Sequence, residues 1–498
     1  MERPIRLRLS LVDNTWTSRL VLLAAAVVLG SAGGILTAGT KPLFVFGGII
    51  GLLVAFAIVL DTQVGLIAFL ALAILLPFGV IPLPLGPVKL TFIDATLTLL
   101  LLVWLLRLLA KPGERLRTSR LDGFILAFVG LAAVSFTFGT STAISPESAR
   151  LFLKIINSIL LFFTVLNCVR TQRHLREITA AFTVAGTLSA IIGIVLYVIP
   201  HETAVRLLSA LRPLNYPSGW EVLRFIAGTD TLRATSTSID PNVLGSTLML
   251  CLAVTTTQLL APRPALPRWA LAPMAGVMSL CLLLTLSRSS WVGLAAALLF
   301  ISVIKYRKLW LLFALVGAAL YFGFLPQADQ YLGHLYSGVQ FQDQAAAMRL
   351  GEYKDAVRLI TRYPFFGVGF GEAPSIDLYV GVSSIYLLIA ENMGLIGLGM
   401  FLLIMGVHFV HNLTSLGRIR DAALQDYLLG FLAALFAAMV AGLFDQHFFN
   451  LRFPHTVALF WSLVGLTMVA SRLGTEHPST ELVPSHPPDQ EAANAHRD

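Results

Sequence analysis

Three arginines stand out in a chain that is mostly apolar. Arg233 opens LRATSTSIDPNVLG (232–245), Arg288 interrupts LLLTLSRSSWVGL (282–294), and Arg349 begins MRLGEYKDAVRLITRYPFFGVGFGE (348–372). A guanidinium is a permanently charged planar fork that matches phosphate or carboxylate geometry. At or near membrane depth it is costly and marks a functional site by default. These residues therefore point to recognition of an anion. Ser287, Ser289 and Ser290 flank Arg288 and could add hydroxyl donors, and Asn242 lies in the turn after Arg233, where it could cap the following span.

A second kind of chemistry is suggested by Glu391. It falls with Asn392 inside the apolar body of VGVSSIYLLIAENMGLIGLGMF (380–401). An ionisable residue there should face protein or a water-filled cavity and pair with a countercharge, here one of the arginines. A structural ion pair and a catalytic role are both open to it.

The elements that must hold these groups are helices in a membrane. The 498 residues are 56% hydrophobic and 12% charged, with mean hydropathy +0.80. Soluble domains carry roughly twice that charged fraction. Apolar runs of roughly 18–22 residues, the length that crosses a hydrocarbon core, recur from end to end. They predict an all-α, polytopic integral membrane protein with about 12–14 transmembrane helices. Expected spans lie near 20–39, 42–60, 64–82, 91–109, 122–140, 151–168, 177–199, 242–260, 269–286, 290–305, 309–325, 383–410, 426–444 and 455–471.

Basic connections alternate along the chain: the N-terminus, 107–120, 170–176, 262–268, 305–308 and 417–420. By the positive-inside rule these are cytoplasmic. The chain then divides into a cytoplasmic N-terminus (1–19), one transmembrane domain (20–471) and a polar, Pro-rich, disordered tail (472–498). Two long connections, 200–241 and 326–382, fall on the outer face, the second as a large loop carrying short amphipathic helices. The three arginines also map to that face, where topology gives cations no purpose.

Within the large loop, Lys354, Arg358 and Arg362 share one helical face, and Arg349 with Tyr353 forms a neighbouring pair. The basic stripe suits a helix lying on the membrane surface. Arg349 is not explained by the stripe. Gly367, Gly369 and Gly371 end the helix in a turn that lets backbone approach closely. The turn lacks the strand–helix context of a dinucleotide site and the GK[ST] of a phosphate-binding loop.

Cys168, Cys251 and Cys281 have no metal-ligand or redox spacing and read as buried apolar residues. No cofactor or metal is expected. The excess of basic residues, with pI near 9.5, resides largely in cytoplasmic loops and does not indicate nucleic-acid binding.

Four blocks in order, RATSTSIDPNVLG, TLSRSSW, MRLGEYKDAVRLITRYPFFGVGFG and ENMGLIGL, resemble the O-antigen ligase and polymerase superfamily of bacterial polysaccharide assembly. PVKLTFIDATLTLLLLVWLLR (87–107) is a weaker match. The resemblance implies a glycosyltransferase similar to the GT-C class, in the inner membrane, with its active site facing outward. It implies transfer or polymerisation of a glycan from an undecaprenyl-diphosphate-linked donor to an acceptor sugar or lipid-borne glycan. The anomeric configuration would invert without a metal, amid membrane lipids. Arg233, Arg288 and Arg349 match the donor-binding arginines, with Asn242 and Tyr353 beside them.

The family's loop histidine is missing: the corresponding His-Asn positions read Val382-Ser383. His334, Glu372 and His447 are candidate replacements. His447 is preferred because Asp445, two residues away in FDQHFF, could orient the imidazole and raise its basicity. The alternative for His447 is an interfacial residue in an aromatic belt. Two other functions stay open: a transporter or flippase of an anionic or lipid-linked solute, and a non-catalytic component of polysaccharide assembly.

Overall fold

The computed structural model describes residues 42–81, 90–110, 116–139, 145–226, 229–321, 344–370 and 382–476. The expected first span, the N-terminus, His334, Glu372 and nearly all of the tail lie outside them. The described chain is almost wholly helical. In order, its helices are α1 (Pro42–Leu60), α2 (Thr62–Leu75), α3 (Phe92–Ala110), α4 (Asp122–Phe138) and α5 (Pro146–Cys168). Then come α6 (Gln172–Val198), α7 (His201–Ser209), α8 (Pro241–Leu260), α9 (Arg268–Leu284) and α10 (Arg288–Ile304). The last are α11 (Leu309–Tyr321), α12 (Gln344–Arg362), α13 (Ile385–Leu416), α14 (Ala422–Ala441) and α15 (Pro454–Thr475). A two-residue hairpin, β1 (Arg224–Phe225) against β2 (Leu232–Arg233), pairs Arg224 with Arg233.

Among the described residues, seven helices are long and apolar enough to cross a membrane: α3, α5, α6, α8, α13, α14 and α15. Several other expected spans fall on shorter apolar helices. Helices α5 and α6 begin earlier than hydropathy suggests, because polar caps start them. Ser145 accepts from the Ser148 amide, and Thr171 accepts from the His174 amide. Their first turns are polar, so a hydropathy window misses them.

Helices α8, α14 and α15 form the centre of the bundle, with 83%, 78% and 83% of their apolar windows buried, whereas α3 and α13 bury only 33% and 39%. Lipid tails are as apolar as leucine, so burial alone does not drive these helices together. Small residues permit close approach instead. Ala433, Ala434, Ala437, Ala438 and Ala441 of α14 are all fully buried.

Helix α13 is broken at Gly394 (φ 69°, ψ −176°). The turn after α12 repairs the break. Val368 N–H donates to Glu391 O at 2.8 Å, Gly369 N–H to Asn392 O at 3.0 Å, and Leu395 N–H to Pro364 O at 2.7 Å. Non-helical backbone in a span survives only where protein supplies its partners. Gly367 has φ +69°, and a Cβ there would collide with the Glu391 and Asn392 backbone. The glycine-rich end of α12 is therefore a docked connection between α12 and α13.

Candidate active site

Arg233 is placed by a small platform. Leu196 of α6, Ala204 and Leu208 of α7, and Val222, Leu223 and Leu232 form an apolar cluster under the hairpin. The side chain then reaches the gap between α9 and α10. Its Nε donates to Thr285 O at 2.8 Å, and Nη2 to Asn242 Oδ1 at 2.6 Å and Leu286 O at 3.5 Å. The gap exposes those carbonyls because Leu286 adopts φ 52° and ends the helical ladder. Asn242 was expected as a helix cap. That role belongs to Asp240, whose Oδ1 accepts from the Asn242 and Val243 amides at 2.7 and 3.2 Å. Asn242 is thereby left to hold Arg233.

Arg288 is the first residue of α10, and Arg349 lies in the second turn of α12. Both are close enough to act electrostatically on Arg233. Burial pushes the Arg233 guanidinium down to about 10; Asp240 and Asp445 oppose this, and Arg349 and Arg288 add to it. The three cations, drawn from three distant stretches of chain, thus form one electrostatic cluster.

The turn between α14 and α15 supplies the partner charge. Asp445 and His447 are each 5% exposed, with His447 Nε2 2.9 Å from Asp445 Oδ1. Asp445 also accepts from the Ser289 hydroxyl at 3.1 Å and from the Gln446 amide at 2.8 Å. Burial works to raise the Asp445 carboxyl, but His447, Arg349 and the Gln446 amide together hold it below its ordinary range. Burial works to lower the His447 imidazole; Asp445 and Asp240 outweigh it and raise the group above its ordinary value. Among the described residues His447 Nδ1 has no hydrogen-bond partner.

Tyr353 fastens α12 to the bundle: its hydroxyl donates to Ser383 O at 3.0 Å and sits 3.4 Å from Leu443 O. Burial raises its phenol, with Arg349 opposing and Glu352 and Asp445 reinforcing the rise. Beside it, Glu352 Oε2 accepts from the Ser383 amide at 3.0 Å and the Ser383 hydroxyl at 2.7 Å. Glu352 was not singled out from sequence. Its spacing of three from Arg349 on one helical face was the available signal.

Glu391 departs from expectation. Among the described residues it makes no ion pair with an arginine; its carbonyl receives Val368, and the charge that acts on it is Asp355. The docked glycine turn bonds to the Glu391 and Asn392 carbonyls of α13. The structure brings together Arg233, Arg288, Arg349, Asn242, Tyr353, Asp445 and His447, and leaves Glu391 outside that group.

These features define a multi-pass, all-α membrane protein with a cationic cluster beside a buried carboxylate–imidazole pair. Residues 273–402 match the family described as O-antigen ligase, which is consistent with the O-antigen ligase and polymerase superfamily and supports a general glycan-transfer or ligase role. The matched segment holds Arg288, Arg349, Tyr353 and Glu391; Arg233, Asn242, Asp445 and His447 lie outside it. A search of curated proteins finds no match.

Proposed function

We propose that the protein transfers a glycan from an undecaprenyl-diphosphate-linked donor to an acceptor sugar at the outer face of the bacterial inner membrane, by inversion and without a metal. Arg233, Arg288 and Arg349 hold the diphosphate. The acceptor hydroxyl oxygen attacks the anomeric carbon, and the bond from that carbon to the diphosphate oxygen breaks. The bonding pair leaves on the diphosphate, and the hydroxyl proton passes to His447. Asp445 orients His447 and stabilises the imidazolium that forms.

One observation carries this reading: Arg233 bonds to the Thr285–Leu286 break just before Arg288, Ser289 just after it donates to Asp445 of the buried His447–Asp445 pair, and Tyr353, one turn after Arg349, lies 3.4 Å from Leu443 O beside that pair. Negative charge grows on the diphosphate as the glycosidic bond breaks, and fixed cations in a low-dielectric site stabilise that growth more than they stabilise bound donor. Asn242 and Tyr353 position Arg233 and α12, since their polar atoms are engaged by protein. Glu391 has a structural part, at the junction of the glycine turn and α13.

The test is reconstitution with a lipid-linked oligosaccharide. Arg288→Ala and Arg349→Ala should each lower turnover by about a hundredfold or more, the scale of losing one group that stabilises transition-state charge. Product from both variants at the rate of the parent protein would refute the clamp.

A further inference from the structure

We infer that a cavity of about 380 Å³ beside Phe453 binds an anionic group, phosphate or carboxylate, carried by the acceptor glycan. The inference rests on the transferase reading and extends it to the second substrate. The cavity lies in the size range of small-ligand pockets.

Its four cations come from three separate elements: Arg150 and Lys154 of α5, Arg224 of the hairpin, and Arg452 before α15. Lys154 is neutralised by Asp94 at 2.5 Å. The other three are poorly compensated. Arg150 meets Glu147 only at 3.6 Å, and that carboxylate is 75% exposed, so the pair is weak. Arg150 Nε is buried without a hydrogen-bond partner among the described residues. Arg224 Nε makes a long contact, 3.4 Å, to Ile239 O. Arg224 and Arg452 have no ion pair among the described residues. Asp240 is the acid that lines the cavity, and it is occupied in capping α8.

Surplus guanidinium charge in a concave site calls for an anion. The remaining lining suits a sugar. The Phe78 and Phe453 rings offer apolar faces, and Asn215 and Ser238 offer hydrogen bonds.

The cavity also has the right neighbour. The Phe453 ring packs edge-on against His447, with centroids 5.0 Å apart. Asp240 faces both ways, lining the cavity and acting on His447 and Arg233. The proposed base therefore stands next to the wall of this cavity, beside the cluster that holds the donor. A substrate anchored by its anion in the cavity would present its hydroxyls on the His447 side.

The test uses full-length protein in phosphatidylcholine nanodiscs, titrated with glucose 6-phosphate, glucuronate and glucose. Binding of undecaprenyl diphosphate is measured on the same preparations. At least one of the two anionic sugars should bind about tenfold or more tightly than glucose, the scale of one charge-assisted contact. The double variant Arg224→Gln/Arg452→Gln, at exposed positions that should not disturb folding, should abolish that preference and leave undecaprenyl diphosphate binding unchanged. Equal affinity for all three sugars would overturn the inference. So would loss of undecaprenyl diphosphate binding in the double variant, which would assign the cavity to the donor. Competition that appears only when phosphatidylglycerol replaces phosphatidylcholine, and disappears in the double variant, would assign it to a lipid headgroup instead. Arg288→Ala separates the two proposals: unchanged undecaprenyl diphosphate binding there counts against the donor clamp and not against anion binding in the cavity.

Discussion

Asp445 Oδ1 lies 2.9 Å from His447 Nε2 in the short turn between α14 and α15, with both side chains almost wholly buried. Carboxylate and imidazole are two residues apart, so a single turn sets their geometry. Neither depends on the placement of a long loop.

The pair makes the protein pH-sensitive in a definite sense. Asp445 is depressed, so its contribution to stability is present above its ordinary value of about 4 and is lost as pH falls through the lowered one. His447 is raised, so its contribution is present below about 6.5 and is lost as pH rises through the raised value. As a base His447 must be neutral, so the acid limb of kcat/KM should have its midpoint above about 6.5. In Asp445→Asn burial acts largely unopposed, and the limb should move to lower pH. An unmoved limb would remove His447 as the titrating base.

Arg233 is held by geometry as well as charge. Arg233→Lys keeps a cation but cannot reproduce the fork that reaches Thr285, Leu286 and Asn242. Turnover should fall about 10–100-fold, as for loss of charged hydrogen bonds. Asn242→Ala should lower it less, through looser placement of the same guanidinium. Kinetics of both variants in proteoliposomes decide this, and a fully active Arg233→Lys would show that charge alone suffices.

Glu352 and Ser383 form a two-bond link between α12 and the start of α13. Glu352→Ala strands a half-buried amide and hydroxyl and should cost about 1–3 kcal/mol of stability. If the link acts as a unit, adding Ser383→Ala should cost little more. A double-mutant cycle from thermal unfolding in detergent measures the coupling, and additive losses would argue against it.

Gly367→Ala should be strongly destabilising. The position has φ +69°, and a methyl would meet the α13 backbone at its break. Backbone strain of this kind costs about 1–3 kcal/mol before the collision is counted. A lower melting temperature together with lost turnover is expected. An unchanged Tm would mean that the turn is not docked in the membrane-embedded protein.

The exposed stripe of α12 offers a contrast. Lys354, Arg358 and Arg362 face away from the cluster, and Arg358 pairs with Asp355 at 2.9 Å on an exposed surface. Replacing all three by Gln should leave turnover within about threefold, because surface pairs contribute about 0–1 kcal/mol. It should weaken association with anionic lipid. Loss of turnover as large as that of Arg349→Ala would move the stripe into the site.

The sequence by itself determined the all-α membrane class and singled out the three arginines, because both readings depend on local properties. A run of apolar residues has one use at that length, and an arginine inside such sequence needs a partner wherever the chain goes. It also pointed to His447 and Asp445, which are neighbours along the chain. Only the tertiary structure decided the partners. Asn242 reads from sequence as a cap, but Asp240 satisfies the helix end first and frees Asn242 for Arg233. Glu391 reads as a countercharge, but among the described residues it forms no ion pair with an arginine, and its carbonyl instead receives the docked glycine turn. Glu352 meets Ser383 across thirty-one positions of chain, and Arg150, Arg224 and Arg452 meet at one cavity from three separate elements. Such contacts are set by how helices pack and where their breaks fall, which no local pattern of charge or hydropathy encodes.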